Sequence, residues 1–258
     1  MIKLVSIEWV AQRAEQHELI LVDARRPMKY LMGHLPGAIN LPAYKFFGSD
    51  GALLAPELLA DLIGNAGLGN TSAALIYDSP EGQNGAILAW ILEYLGHSEI
   101  CVLEAFFEAW NASGREILYK PISRPPATFT VRLNPAVRAS LDELRNPRGI
   151  RFVDFRSREE YCGTKTMGED QAGHIPGAVN FPWQDLGRPP GLMLKPAAEL
   201  ASIADSVGVN RGDQLVAYCR SGPRAALGYL ALRLMGAEVR LFDGSFAQWS
   251  KAGLPAEK

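Results

Sequence analysis

Gly33-His34-Leu35-Pro36-Gly37-Ala38-Ile39-Asn40 returns later in the chain as Gly173-His174-Ile175-Pro176-Gly177-Ala178-Val179-Asn180. A string kept that closely marks an internal repeat, which has to be found before any element is assigned. Working outward, Asp23-x-Arg25 and Tyr30 precede the first copy, and Asp154-x-Arg156 and Tyr161 precede the second. The second has nine extra residues between its Asp and its His. Downstream, Leu75-Ile76-Tyr77-Asp78 matches Val216-Ala217-Tyr218-Cys219, and Leu95-Gly96 matches Met235-Gly236. Phe107-Glu108-Ala109-Trp110 matches Phe246-Ala247-Gln248-Trp249, and the offset stays between 131 and 141 residues. The 258 residues suit two domains of about 130 each. The first domain is expected over 1–117, a linker over 118–130 and the second domain over 131–258. Pro121, Pro125 and Pro126 mark the join, because proline runs continue neither a helix nor a central strand.

Strand and helix patterns alternate within each copy. Leu19–Ala24, Ala74–Tyr77 and Ile100–Leu103 read as strands in the first, and Phe152–Phe155, Leu215–Tyr218 and Val239–Phe242 in the second. Pro56–Leu68, Gly85–Leu95, Pro196–Val207 and Arg224–Met235 read as helices, with Gly96 and Gly236 as left-handed stops. The expected class is α/β: two domains, each a parallel sheet flanked by helices.

Composition narrows the function classes. With 48% apolar and 21% charged residues, disorder, collagen and coiled coil are excluded for the whole chain. No apolar run approaches the ~20 residues that span a bilayer. The first residues lack an apolar signal core, so a cytoplasmic protein without membrane association is expected. Three cysteines and four scattered histidines point to reduced thiols and away from structural zinc. Residues 1–120 carry a net −6 and residues 121–258 a net +4. The basic half favours a small anionic ligand or helps two domains dock. No basic cluster with interleaved aromatics suggests nucleic acid. A monomer is the expected state.

One loop carries the chemistry. Cys219-Arg220-Ser221-Gly222-Pro223-Arg224 follows a buried strand and opens a helix. Ligands of parallel sheets lie beyond the carboxyl ends of the strands. A cysteine facing a helix N-terminus meets unpaired amides and a positive dipole end, which favour thiolate over thiol. Arg220 and Arg224 add positive charge, and Gly222 lets the backbone turn. The amides of Arg220, Ser221, Gly222 and Arg224 are expected to ring a sulfur at the mouth of the second repeat. So tight a loop suits the outer sulfur of a persulfide, whereas a phosphate ester wants a wider one.

Taken together, Asp-x-Arg, Gly-His-x-Pro-Gly-Ala and Cys-Arg-Ser-Gly-Pro-Arg strongly resemble the rhodanese sulfurtransferases. The doubling resembles the tandem-domain members, in which the C-terminal copy alone is catalytic. The resemblance covers about Val5 to Leu254 and implies two rhodanese-like domains. It implies that Cys219 takes a sulfane sulfur from an anionic donor such as thiosulfate and yields it to a thiophilic acceptor such as cyanide. It implies no metal or organic cofactor. Animal thiosulfate and mercaptopyruvate enzymes carry an arginine where this chain has Glu160, and end the loop in threonine where it has Arg224. Ser221 leans toward mercaptopyruvate, whereas Glu160 leaves that donor's carboxylate without its arginine, so thiosulfate is favoured. The alternatives are a mercaptopyruvate transferase, a phosphatase or arsenate-reductase-like enzyme, and a non-catalytic binding module.

Glu160 and Arg224 are expected to pair and hold the loop open in the absence of substrate, leaving Arg220 freer to meet the donor. Exchanging Glu160 for Gln should then loosen the loop and raise the donor KM, and an unchanged KM would refute the pairing role. Trp183 lines the pocket or packs in the core. Cys162 is a surface thiol or a persulfide acceptor, and Cys101 is core. His34 and His174 recur in both copies while the cysteine does not, so both are expected to be structural, as are Asp154 and Arg156. Asp78 replaces the cysteine in the first copy, beside Glu81, so that copy is expected to be inactive and to wall one side of the cleft.

Overall fold

The computed structural model describes residues 2–13, 19–187, 191–210 and 212–258. The chain divides into two compact units, Met1–Asn134 with Arg188–Met193, and Pro135–Gly187 with Leu194–Lys258.

In the first unit the strands are β1 (Lys3–Val5), β2 (Leu19–Asp23), β3 (Ile39–Asn40), β4 (Ala73–Tyr77) and β5 (Ile100–Leu103). They form one parallel sheet in the order β1-β5-β4-β2-β3. Every residue of β2 and β5 is buried, the pattern of strands covered on both faces. The helices are α1 (Ile7–Ala11), α2 (Pro27–Leu31), α3 (Pro56–Asn65), α4 (Gln83–Tyr94) and α5 (Phe107–Ala112). Val10 of α1 and Phe107 and Trp110 of α5 pack on Leu21, Leu75, Tyr77 and Leu103. The following chain lies along this unit, with Ala127 N–H donating to Gly64 O at 2.9 Å and Thr130 N–H to Asn70 Oδ1 at 2.6 Å. Met193, from far downstream, donates its N–H to Glu104 O at 2.7 Å.

The second unit has β6 (Ile150–Asp154), β7 (Val179–Asn180), β8 (Gln214–Tyr218) and β9 (Val239–Leu241), parallel in the order β7-β6-β8-β9. The counterpart of β1 shrinks to a single parallel bridge, Arg138 to Leu241. Its helices are α6 (Leu141–Leu144), α7 (Arg158–Tyr161), α8 (Ala197–Ser206), α9 (Pro223–Leu234) and α10 (Ser245–Lys251). Phe246 and Trp249 of α10 join Phe152, Val216, Tyr218 and Phe242 in the core.

The repeated motif is a buried clamp, built twice. Arg25 Nη2 bonds Asp23 Oδ2 at 2.6 Å and Gly33 O at 2.7 Å. Arg156 Nη2 bonds Asp154 Oδ2 at 2.6 Å and Gly173 O at 2.7 Å. Tyr30 and Tyr161 reach Ala38 O and Ala178 O at 2.8 and 2.7 Å. His34 and His174 stack on those tyrosines, ring centroids 3.9 and 3.7 Å apart, and place Nδ1 2.9 Å from the Tyr carbonyl. The clamp satisfies buried charge and amide groups that would otherwise be costly. Its presence in both copies, whether or not a cysteine follows, accords with a fold-holding role.

Candidate active site

Strand β8 ends at Tyr218 and α9 begins at Pro223, so Cys219-Arg220-Ser221-Gly222 is the whole connection. Gly222 makes the reversal with φ +107°, a backbone that L side chains rarely adopt. Its N–H donates to Cys219 Sγ at 3.2 Å. The sulfur therefore lies at the N-terminal end of a twelve-residue helix, where unpaired amides and the dipole carry partial positive charge.

The cysteine backbone is fixed by α10. Phe246 N–H donates to Cys219 O and Ala247 N–H to Arg220 O, both at 3.0 Å. Ser245 Oγ accepts the Cys219 N–H at 3.2 Å and donates to Phe242 O at 2.8 Å. Ser245 is fully buried and is the one non-glycine with positive φ (+54°) among the described residues. Such a conformation persists where surrounding contacts over-determine it. Sequence reading missed Ser245 because the repeat was matched from Phe107 and Phe246 onward. One residue further back, Ser245 stands against Phe106, so a hydroxyl accompanies the cysteine in one copy and neither is present in the other.

The two loop arginines have different partners. Arg224 grips Glu160 through both terminal nitrogens, Nη1 to Oε2 at 2.6 Å and Nη2 to Oε1 at 2.9 Å. Burial pushes the Glu160 carboxyl up, but the Arg224 hydrogen bond and charge outweigh it and hold the group below its ordinary range. Arg220, expected to be freer, is held as well. Its Nε donates to Glu169 Oε1 and its Nη2 to Met167 O, each at 2.6 Å. Glu169 lies in the segment by which the second copy exceeds the first, so comparing the copies offers no signal for it.

Ser221 is half-buried in the loop, and Trp183 is half-buried on the 3-10 turn Trp183–Asp185, which packs against α9. The expected open mouth is absent: Cys219 is 1% exposed, because the Gly222 turn folds down onto Sγ and α10 closes the strand end from below. Cys162 caps α7 and is exposed, while Cys101 is buried in β5, where burial pushes its thiol up. All three thiols are free.

The first copy fills its own loop. Asp78 directly follows β4 and is 1% exposed. Its carboxylate accepts N–H groups from Ser79 at 2.7 Å, Asn84 at 2.8 Å and Gly85 at 2.9 Å. The Asp78 carboxylate thus occupies the place an anion would take among these amides. Burial still dominates and pushes its carboxyl from 3.8 up to about 6. An acid raised on folding favours the fold while protonated, below about pH 4, and loses that contribution as pH rises to about 6. The stability difference between wild type and Asp78→Asn should therefore move by roughly 2 kcal/mol in the variant's favour from pH 4 to pH 7. Paired urea titrations at the two pH values measure it, and a constant difference would refute it.

Among the described residues no group of three or more His, Cys, Asp or Glu side chains is placed to hold a metal ion. Among them, too, no helix is long and apolar enough to cross a membrane.

A family model described as Rhodanese-like domain matches residues 6–113 and again 137–252. A putative thiosulfate sulfurtransferase of Synechococcus elongatus is 32% identical, over 99% of this chain and 85% of its own. A thiosulfate sulfurtransferase of Corynebacterium glutamicum is 31% identical, over 96% and 87%. The solved structure of SseA from Escherichia coli, described among 3-mercaptopyruvate sulfotransferases, matches with TM-score 0.86 at 24% identity, over 95% of this chain and 99% of that one. At that identity the likeness speaks for fold alone.

Proposed function

Because the chain belongs to the rhodanese-like family and is a sulfurtransferase of it, we propose that it moves a sulfane sulfur from thiosulfate to a thiophilic acceptor such as cyanide, through a persulfide on Cys219. The Cys219 thiolate attacks the outer sulfur of thiosulfate. A cysteine–sulfur bond forms, the donor's sulfur–sulfur bond breaks, and sulfite leaves with the electron pair. Cyanide then attacks the outer persulfide sulfur, thiocyanate departs, and the pair returns to Cys219 as thiolate.

The observation that carries this reading is the Gly222 N–H pointing at Sγ under the first turn of α9. The electron pair returns to that sulfur as the acceptor carries its partner away, so a fixed amide and a helix N-terminus stabilise the state the reaction must regenerate. The short connection supports a sulfur-sized guest over a phosphate ester. Burial of Cys219 adds a condition: the donor must displace the groups that cover Sγ.

A donor panel tests the reading, with cyanide as acceptor. Thiosulfate should turn over faster than mercaptopyruvate, and intact mass should rise by one sulfur after donor is added. A faster mercaptopyruvate reaction would favour the reading in which Ser221 serves that donor. Turnover of p-nitrophenyl phosphate without thiosulfate turnover would overturn sulfur transfer altogether.

A further inference from the structure

The half of the chain that holds the nucleophile is basic, net +4 over residues 121–258, yet both guanidinium groups of the Cys219 loop are paired with carboxylates. The two pairs differ in kind. Arg224 lies within α9 and meets Glu160, which also accepts the Ser157 N–H in a capping box, so that pair anchors the helix start. Arg220 precedes the helix, directly after the nucleophile. Glu169 approaches it from the added segment, with a side chain only 4% exposed while Arg220's is 39% exposed. The second oxygen of Glu169 accepts the Met167 N–H at 2.6 Å, and Met167 O accepts Arg220 Nη2, which closes a ring of hydrogen bonds round the guanidinium.

A buried carboxylate spent on a half-exposed arginine beside a nucleophile for anions works against anion capture. We propose that Glu169 is a specificity-determining positioning residue: by holding and neutralising Arg220 it lowers the site's pull on doubly charged donors and favours donors of low charge. The proposal rests on the reading that Cys219 takes sulfur from an anionic donor. With Arg220 and Arg224 both neutralised, the attraction that remains comes from peptide dipoles, which act over the first helical turn and weakly beyond it. Releasing Arg220 would add a full charge that acts over about a Debye length.

The test compares wild type, Glu169→Gln and Glu169→Asp with thiosulfate, a dianion, and mercaptopyruvate, a monoanion at neutral pH, under saturating cyanide. In Glu169→Gln the thiosulfate KM should fall about fivefold at about 25 mM salt, the mercaptopyruvate KM about twofold, with kcat within about twofold. The difference should vanish by about 300 mM salt. Glu169→Asp keeps the charge and should keep the wild-type ratio of the two KM values. A folded Glu169→Gln whose two KM values stay put, or shift equally, overturns the proposal. Should that variant not fold, wild type still decides. Its thiosulfate KM should change less than about twofold between those salt concentrations, and a steeper rise overturns the proposal. If wild type gains no sulfur on Cys219 from either donor, the sulfur-transfer reading fails and this proposal with it. A normal mass gain with flat Glu169→Gln selectivity defeats this proposal alone.

Discussion

Cys219→Ser should abolish sulfur uptake while leaving the fold intact: turnover falls by on the order of 10³-fold or more, and the one-sulfur mass gain disappears. Serine fits, since its Oγ can still accept the Gly222 N–H that now reaches Sγ at 3.2 Å. It does not react, because a hydroxyl is protonated at neutral pH and the hydrogen bond described to the side chain of residue 219 comes from the Gly222 N–H, a donor and not a base. The matched control is Cys162→Ser, which changes an exposed thiol at the end of α7 and should keep the full mass gain. Loss of the gain in Cys162→Ser alone would move the sulfur-carrying role to the other thiol. Denaturant unfolding of both variants, unchanged from wild type, separates chemistry from folding.

The second large effect is on stability. Asp154 is fully buried and meets Arg156 through three contacts of 2.6 to 3.0 Å between Arg156 Nε or Nη2 and its carboxylate oxygens. Asp154→Ala leaves a buried guanidinium that keeps Gly173 O and the Phe246 and Tyr218 rings, 4.0 and 5.8 Å away, but no carboxylate in hydrogen-bond contact among the bonds described. Breaking a buried pair from one side costs about 3–5 kcal/mol. For a unit of this size that corresponds to a Tm lower by roughly 10–20 °C. Asp23→Ala should do the same to the first unit, whose clamp has the same geometry. Calorimetry of the two variants reads both, and a Tm within about 2 °C of wild type in either would show that its clamp is not what holds that sheet edge.

The legible parts of the fold were those with enough residues to show a pattern. Strands β2, β4, β5, β6, β8 and β9 are short apolar runs between turn residues, and α3, α4, α8 and α9 have proline or glycine at an end, so they lie within a few residues of expectation. β3 and β7 have two residues each, too few for any periodicity. They are held by Asn40 and Asn180, whose side-chain amides bond the carbonyls of Asp23 and Arg25, and of Asp154 and Arg156. The same limit governs the site. Cys219, Gly222 and Arg224 share one loop, and Glu160 stands beside a repeated tyrosine, so adjacency and the repeat exposed them. Glu169 is 51 positions from Arg220, in a segment without a twin, and only the folded chain brings them together.

The seat of Asp78 bears on what would be needed to build a thiol site in the first copy. A repeat with an aspartate where its twin has a cysteine is easily imagined as a collapsed remnant. Here the amides of Ser79, Asn84 and Gly85 still converge, with the resident carboxylate as their guest. The cradle is therefore intact, and an engineer would begin from an occupied socket: evict the carboxylate, install a thiol, and supply in place of Phe106 the hydroxyl that steadies its twin.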